Sequence, residues 1–158
     1  MKKIGVFAIV LALAAFSVSA LADDVQYDKL SLNELMRLAN QGVATAQRNV
    51  GDRYFDGQGV PQDYREAVTW FRKAAEQGDA DAQNNLGLMY GNGQGAPRDR
   101  VLAYMLLNLA AAGGSDDALA NRNAIVKTMS DAQIEEGQAL SRAWKVGASL
   151  PTASKTGA

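Results

Sequence analysis

The sequence predicts an all-α fold of tandem helix-turn-helix units. Three observations carry that expectation: an internal repeat of 36 residues, apolar residues at helical spacing within each repeat, and glycine-rich breaks at matching places. Residues 43–78 laid over 79–114 agree at fifteen of 36 positions. Unrelated stretches of ordinary composition would agree at about two or three. The first half of the unit shares Ala44/Ala80, Ala46/Ala82, Gln47/Gln83, Asn49/Asn85, Gly51/Gly87 and Tyr54/Tyr90. The second half shares Gly57-Gln58-Gly59 with Gly93-Gln94-Gly95, then Pro61/Pro97, Asp63/Asp99, Ala67/Ala103, Ala74/Ala110, Ala75/Ala111 and Gly78/Gly114.

The N-terminus reads as a secretory leader. Lys2 and Lys3 precede an uncharged apolar run from Ile4 to Val18, and Ser19-Ala20-Leu21-Ala22 has the small residues of a cleavage site. Cleavage after Ala22 is expected, leaving residues 23–30 as a linker. The competing assignment, an uncleaved anchor, has a short run for a span of about 20 residues. No cysteine follows the run, so a lipid-modified anchor is excluded. In residues 31–42, Ser31 with Glu34 makes a capping box ahead of Leu32, Leu35, Met36 and Leu38, and Gly42 closes a lone helix.

The first full unit opens with a helix from about Val43 to Phe55. Gly57-Gln58-Gly59 ends it, because two glycines supply the positive φ that a reversal needs. Asp63, with Glu66 three residues on, then caps a second helix whose apolar stripe is Ala67, Trp70, Phe71, Ala74 and Ala75. Gly78 stops that helix. Gly51 and Gly87 lie mid-helix, where glycine costs about 1 kcal/mol relative to alanine. Their recurrence points to close approach of two helices against the alanines Ala67 and Ala103. Downstream, residues 115–146 hold a partial unit. Ser115 caps a helix to about Thr128, and Ser130 with Gln133 caps a last one carrying Ile134, Leu140, Ala143 and Trp144. The more apolar stretch Tyr104 to Leu109 is expected to be buried by these closing helices. Residues 147–158 show no periodicity and are expected to form a disordered tail.

The pattern Ala-x-Ala-Gln-x-x-(Val/Leu)-Gly-x-x-Tyr-x-x-Gly-x-Gly-x-Pro-x-Asp, closed by Ala-Ala-x-x-Gly, resembles the Sel-one-like repeat, a relative of the tetratricopeptide repeat. A period of 36 and the Gly-x-Gly turn fit that type. The resemblance implies a right-handed α-α superhelical solenoid. Residues 31–146 would form it, with full repeats at 43–78 and 79–114 and partial capping units at 31–42 and 115–146. It also implies that first helices line a concave face on which a protein or peptide is bound. Positions there that differ between units are the candidates: Thr45, Arg48, Asp52 and Arg53 in the first, and Asp81, Asn84, Leu88 and Met89 in the second. The change from charged to apolar suggests a groove with a polar and a greasy end. Unselected surface variation would give the same differences.

Composition argues against catalysis. The chain has no histidine and no cysteine, so imidazole or thiolate metal sites, Ser-His-Asp and Cys-His triads and iron–sulfur clusters lack their residues. No catalytic residue, cofactor or metal is assigned. The net charge of −1 gives no nucleic-acid footprint. Without Lys2 and Lys3 it is near −3, from fourteen basic and seventeen acidic residues. Gly91 to Gly95 lacks the strand and the Gly-Lys-Ser/Thr of a phosphate loop. Lys155-Thr156-Gly157 lacks the Ser-x-x-Lys and Ser-Asp-Asn that accompany it in penicillin-binding enzymes. The expected protein is a periplasmic or secreted adaptor with an envelope partner, no membrane span once cleaved, and an unassigned oligomeric state. The alternatives are a cell-wall or carbohydrate-associated role through Trp70, Trp144 or tyrosines, and, most remote, a hydrolase.

Overall fold

The first helix of each full unit is tied to the end of the preceding second helix by a buried glutamine, and this contact recurs with the sequence repeat. Gln47 Nε2 donates to the Ala39 carbonyl at 3.0 Å, and Gln83 Nε2 to the Ala75 carbonyl at 3.1 Å. The computed structural model describes residues 26–156. The expected leader, residues 1–22, lies outside them. Before Ser31 the described residues hold one 3-10 turn, Tyr27–Lys29. Seven α-helices follow, and no strand occurs among the described residues. They are α1 (Leu32–Asn40), α2 (Ala44–Asp56), α3 (Tyr64–Glu76), α4 (Ala80–Asn92), α5 (Arg100–Ala112), α6 (Asp116–Val126) and α7 (Asp131–Ala143). From α1 to α6 every helix packs on the next, α4 also touches α6, and α7 packs on α5. This succession is a helical solenoid. No described helix is long and apolar enough to cross a membrane.

The caps explain where the helices start. Ser31 and Glu34 close a full capping box, as do Ser130 and Gln133. Asp63 accepts from the N–H groups of Arg65 and Glu66, and Asp99 from those of Val101 and Leu102. Each such cap contributes about 1 kcal/mol. Gly57 and Gly93 both adopt φ +71°, and Gly59 and Gly95 adopt +76° and +73°, so the turn repeats in geometry as in sequence. Gly95 has a further task. A Cβ there would lie 2.1 Å from the Tyr64 carbonyl oxygen, whereas one at Gly59 would meet nothing within 4 Å. In repeat register α3 begins at Tyr64 and α1 should begin at position 28, but α1 begins at Leu32, one turn short.

The mid-helix glycines do allow close packing, though against other partners than expected. A Cβ at Gly51 would lie 2.7 Å from the Phe71 ring, not against Ala67. A Cβ at Gly87 would lie 3.0 Å from Leu107 Cγ and 3.2 Å from the Ala103 carbonyl oxygen, so Ala103 contributes backbone rather than its methyl. α5 is the centre of the core. Val101 to Leu107 is buried without interruption beneath α4, α6 and α7. On α7, Gly137 sits so near Tyr104 that a Cβ would be 2.6 Å from Cδ1.

The segment 147–156 differs from expectation. It has no helix, yet it is held. Leu150 is 5% exposed and joins the cluster containing Phe71, Tyr90 and Leu106. Arg72 donates to the carbonyls of Leu150 and Pro151, both at 2.9 Å, and Ser154 N–H reaches Asp99 at 2.8 Å. Lys155 and Thr156 bond Glu136, and the Thr156 hydroxyl is the main cause holding that carboxyl below its usual range. One apolar anchor and main-chain hydrogen bonds leave no periodicity to read.

Gly87→Val should cost roughly 1–3 kcal/mol in denaturant melts by overpacking the contact with Leu107. Gly87→Ala should show less gain than its helix propensity of about 1 kcal/mol allows. A valine variant as stable as the parent would remove close approach as the reason for the glycine.

Candidate binding surface

α2, α4 and α6 are the first helices of successive units, and polar side chains link them in series. Arg48 of α2 lies 3.5 Å from Asp52, 3.4 Å from Asp79 and 3.9 Å from Asp81. Asn85 of α4 donates to Asp52 at 3.3 Å. Asn121 of α6 donates to Asn84 at 3.0 Å. Asn84 donates to Asn85 at 3.5 Å, so Arg48, Asp52 and Asn84, expected on a binding face, are joined in one network, each half-buried. Arg53 is half-buried too. Asp79, Asn85 and Asn121 belong with them, beyond the positions expected from sequence. The identity of Asn85 with Asn49 marked it as a repeat residue, while Asn121 has no repeat counterpart to flag it.

Burial raises the Asp52 carboxyl from 3.8 to about 6; Arg48 opposes the shift, while Asp56, Asp79 and Asp81 add to it. Burial also raises Asp79, against the Ala82 N–H and Arg48. One guanidinium therefore faces several carboxylates at this end of the array. No group of three or more His, Cys, Asp or Glu side chains among the described residues is placed to hold a metal ion.

The greasy end is only half as expected. Leu88 is 38% exposed and lines a cleft of about 310 Å³ between α4 and α6, together with Gly87, Gly91, Leu107, Asn121 and Ile125. Met89 is 1% exposed and faces the core instead. Leu86, Met89 and Tyr90 stand at i, i+3 and i+4 on one buried stripe, so Met89 points away from Leu88. Trp70 and Tyr90 are buried, which removes them as exposed sugar-stacking platforms; Trp144 is half-buried and donates its Nε1–H to the Ala148 carbonyl.

Helix pairs stacked in one direction, with the small-residue and turn pattern above, define a tetratricopeptide-like α-solenoid. Residues 44–79 and 80–115 match the Sel1 repeat family, one residue downstream of the limits drawn from sequence. Residues 44–115 therefore carry two Sel1 repeats. The structure of the chain is similar to that of c5321, a protective antigen of uropathogenic Escherichia coli strains displaying an SLR fold, with TM-score 0.68 and 34% identity over 70% of this chain and 24% of that one. A Sel1 repeat protein from Oxalobacter formigenes aligns with TM-score 0.54 and 45% identity over 55% of this chain and 25% of that one. Helicobacter pylori cysteine rich protein B aligns with TM-score 0.55 and 26% identity over 62% of this chain and 73% of that one. The chain therefore spans about a quarter of the length of the first two. No curated protein matches it. Sel1 repeat proteins are in general scaffolds for protein interaction.

Asp52 and Asp79 bind protons more tightly in the folded chain than when unfolded. At Asp52 the folded state then holds more protons between about pH 4 and 6, and its contribution to stability falls as pH rises through that window; Asp79 acts in the same direction. Asp52→Asn should gain stability relative to the parent from pH 4 to pH 6 in paired urea melts. Parallel pH curves for the two proteins would show that Asp52 is not the cause.

Proposed function

We propose that this chain is an exported, non-catalytic adaptor that binds a protein or peptide partner of the cell envelope along the face of α2, α4 and α6. The observation that carries this is the make-up of the face. Acidic groups gather around Arg48 at one end, and beside α6 a cleft of about 310 Å³ opens next to the exposed Leu88. A partner suited to it brings basic side chains to Asp52, Asp79 and Asp81 and an apolar side chain to the cleft. Electrostatic complementarity of this kind steers encounter and fixes register, and the apolar anchor supplies affinity. Export rests on the leader pattern of residues 1–22.

Capture from envelope extracts tests the face. A partner held by the parent should be lost with Leu88→Glu and weakened with Asp81→Lys, but kept with Arg65→Glu, an exposed substitution on α3. Retention by Leu88→Glu at parental level would discard the cleft as a contact. Export is checked separately by mass spectrometry of the envelope form. The expected N-terminus is Asp23, and intact residues 1–22 would instead indicate a membrane anchor.

A further inference from the structure

The segment 147–156 is gripped in an unusual way for a non-helical stretch that merely packs on a core. Most of its polar contacts are main-chain. Gly147 N–H donates to the Glu76 carbonyl at 2.7 Å, and Leu150 N–H to Glu76 Oε1 at 2.9 Å. The Arg72 guanidinium forks onto two successive carbonyls, those of Leu150 and Pro151, while also bonding the Tyr90 hydroxyl. Asp99 takes the Ser154 N–H and hydroxyl, each at 2.8 Å, with the same carboxylate that caps α5. Glu136 accepts from the N–H groups of Lys155 and Thr156 at 2.7 and 3.1 Å, and Gln133 donates to the Thr156 carbonyl at 2.7 Å. Side-chain selection is confined to Leu150, buried in the core, and to the hydroxyls of Ser154 and Thr156. Main-chain capture with a few side-chain pockets is how proteins hold extended peptides.

One detail separates this surface from one shaped only for its own strap. A cavity of about 220 Å³ is left between Tyr90, Ala96, Pro97 and Arg98 on one side and Thr152 and Ala153 on the other. The resident segment underfills it. The strap leaves α7 through Gly147, at φ +87°, with Val146 69% exposed, and its start is held by hydrogen bonds from Gly147 N–H to the Glu76 carbonyl and from Trp144 Nε1–H to the Ala148 carbonyl.

We propose that the surface formed by α3, Asp99 and α7 is a peptide-binding groove for an extended partner segment carrying a leucine–proline pair followed by hydroxyl residues, and that residues 147–156 fill it in cis until such a segment displaces them. This groove uses residues distinct from the α2–α4–α6 face and does not depend on it. The partner segment would set its leucine where Leu150 lies and its next two carbonyls on Arg72. Its hydroxyls would fall on Asp99 and Glu136. A larger side chain at the place of Thr152 or Ala153 would fill the cavity.

The test uses the full chain, labelled with nitrogen-15, and a synthetic peptide of residues 147–156 as the probe. Amide signals of Leu150, Ser154 and Thr156 report whether the strap is bound. A tethered segment competes at an effective concentration of the order of millimolar, so the parental peptide should displace the parental strap only in that range. Leu150→Ala in the chain should lower the displacement midpoint at least about 30-fold, the effect of losing a buried leucine. The same change in the peptide should abolish displacement. Of the peptides with Thr152→Leu and Ala153→Leu, at least one should act on the parental chain at lower concentration than the parent peptide. Should the Leu150→Ala chain lose its fold, Ser154→Ala/Thr156→Ala loosens the strap without touching the core and gives the same comparison. A loosened strap whose groove takes no peptide, or displacement indifferent to the peptide's leucine, overturns the proposal. So does failure of both enlarged peptides, since the strap would then be the only segment the surface fits.

Discussion

The faces of this molecule depend on its units stacking in one register, and a buried amide sets that register. Gln47 and Gln83 each reach back eight residues to a carbonyl near the end of the preceding second helix. Those carbonyls also accept the Gly42 and Gly78 N–H groups, so each glutamine adds a second donor at a helix end and links two units. A slip along the stack would strand the buried glutamine amide, at about 1–3 kcal/mol for each, against a whole-domain stability of order 5–15 kcal/mol. The small apolar contacts nearby, such as Ala46 and Ala82, discriminate far less between neighbouring registers. Because α2 and α4 are fixed in this way, Asn85 can meet Asp52 and the acidic groups gather on one side. In the third unit Leu119 occupies the glutamine's place and is 42% exposed. There α6 is tied instead through Asn121 to Asn84 and Arg122 to Asn108, at 3.0 and 2.9 Å.

What could be read from sequence was whatever repeats. The glycine turns that end α2 and α4 and the Asp63 and Asp99 caps that start α3 and α5 follow from residues present twice, whereas Val43 and Asp79 at the starts of α2 and α4 differ. Met89 shows the limit of matching unit to unit. It aligns with Arg53, and the alignment suggested a shared exposure, but the stripe Leu86–Met89–Tyr90 decides where it points. Gly137 shows another limit. It has no repeat copy, and only the ring of Tyr104 above it explains why it is a glycine. The strap was least legible. Its grip lies in backbone groups that every sequence possesses, and in carboxylates such as Asp99 whose capping role was visible while the second oxygen's use was not.

A net charge of −1 conceals how unevenly charge is placed. Asp52, Asp79 and Asp81 converge on Arg48 although the chain as a whole is nearly neutral. The chain has no cysteine, so no disulfide joins its helix pairs. Here close fit and hydrogen bonds join the helices. A phenyl ring lies over Gly51, and a leucine and a backbone carbonyl lie over Gly87.

The two Gly-x-Gly turns look interchangeable in the repeat, yet Gly59 and Gly95 are kept by different constraints. Gly59 answers only to its torsion angle of +76°, with open space around it. An asparagine, which visits that region at modest cost, could stand in. Gly95 is pressed onto the Tyr64 carbonyl, where no side chain of any kind has room. The difference comes from a missing turn in α1, not from either glycine. A consensus drawn over the repeats would give both positions equal weight, although drift can erode the first and purifying selection must hold the second. Repeat identity therefore records common descent more faithfully than it records present mutational tolerance.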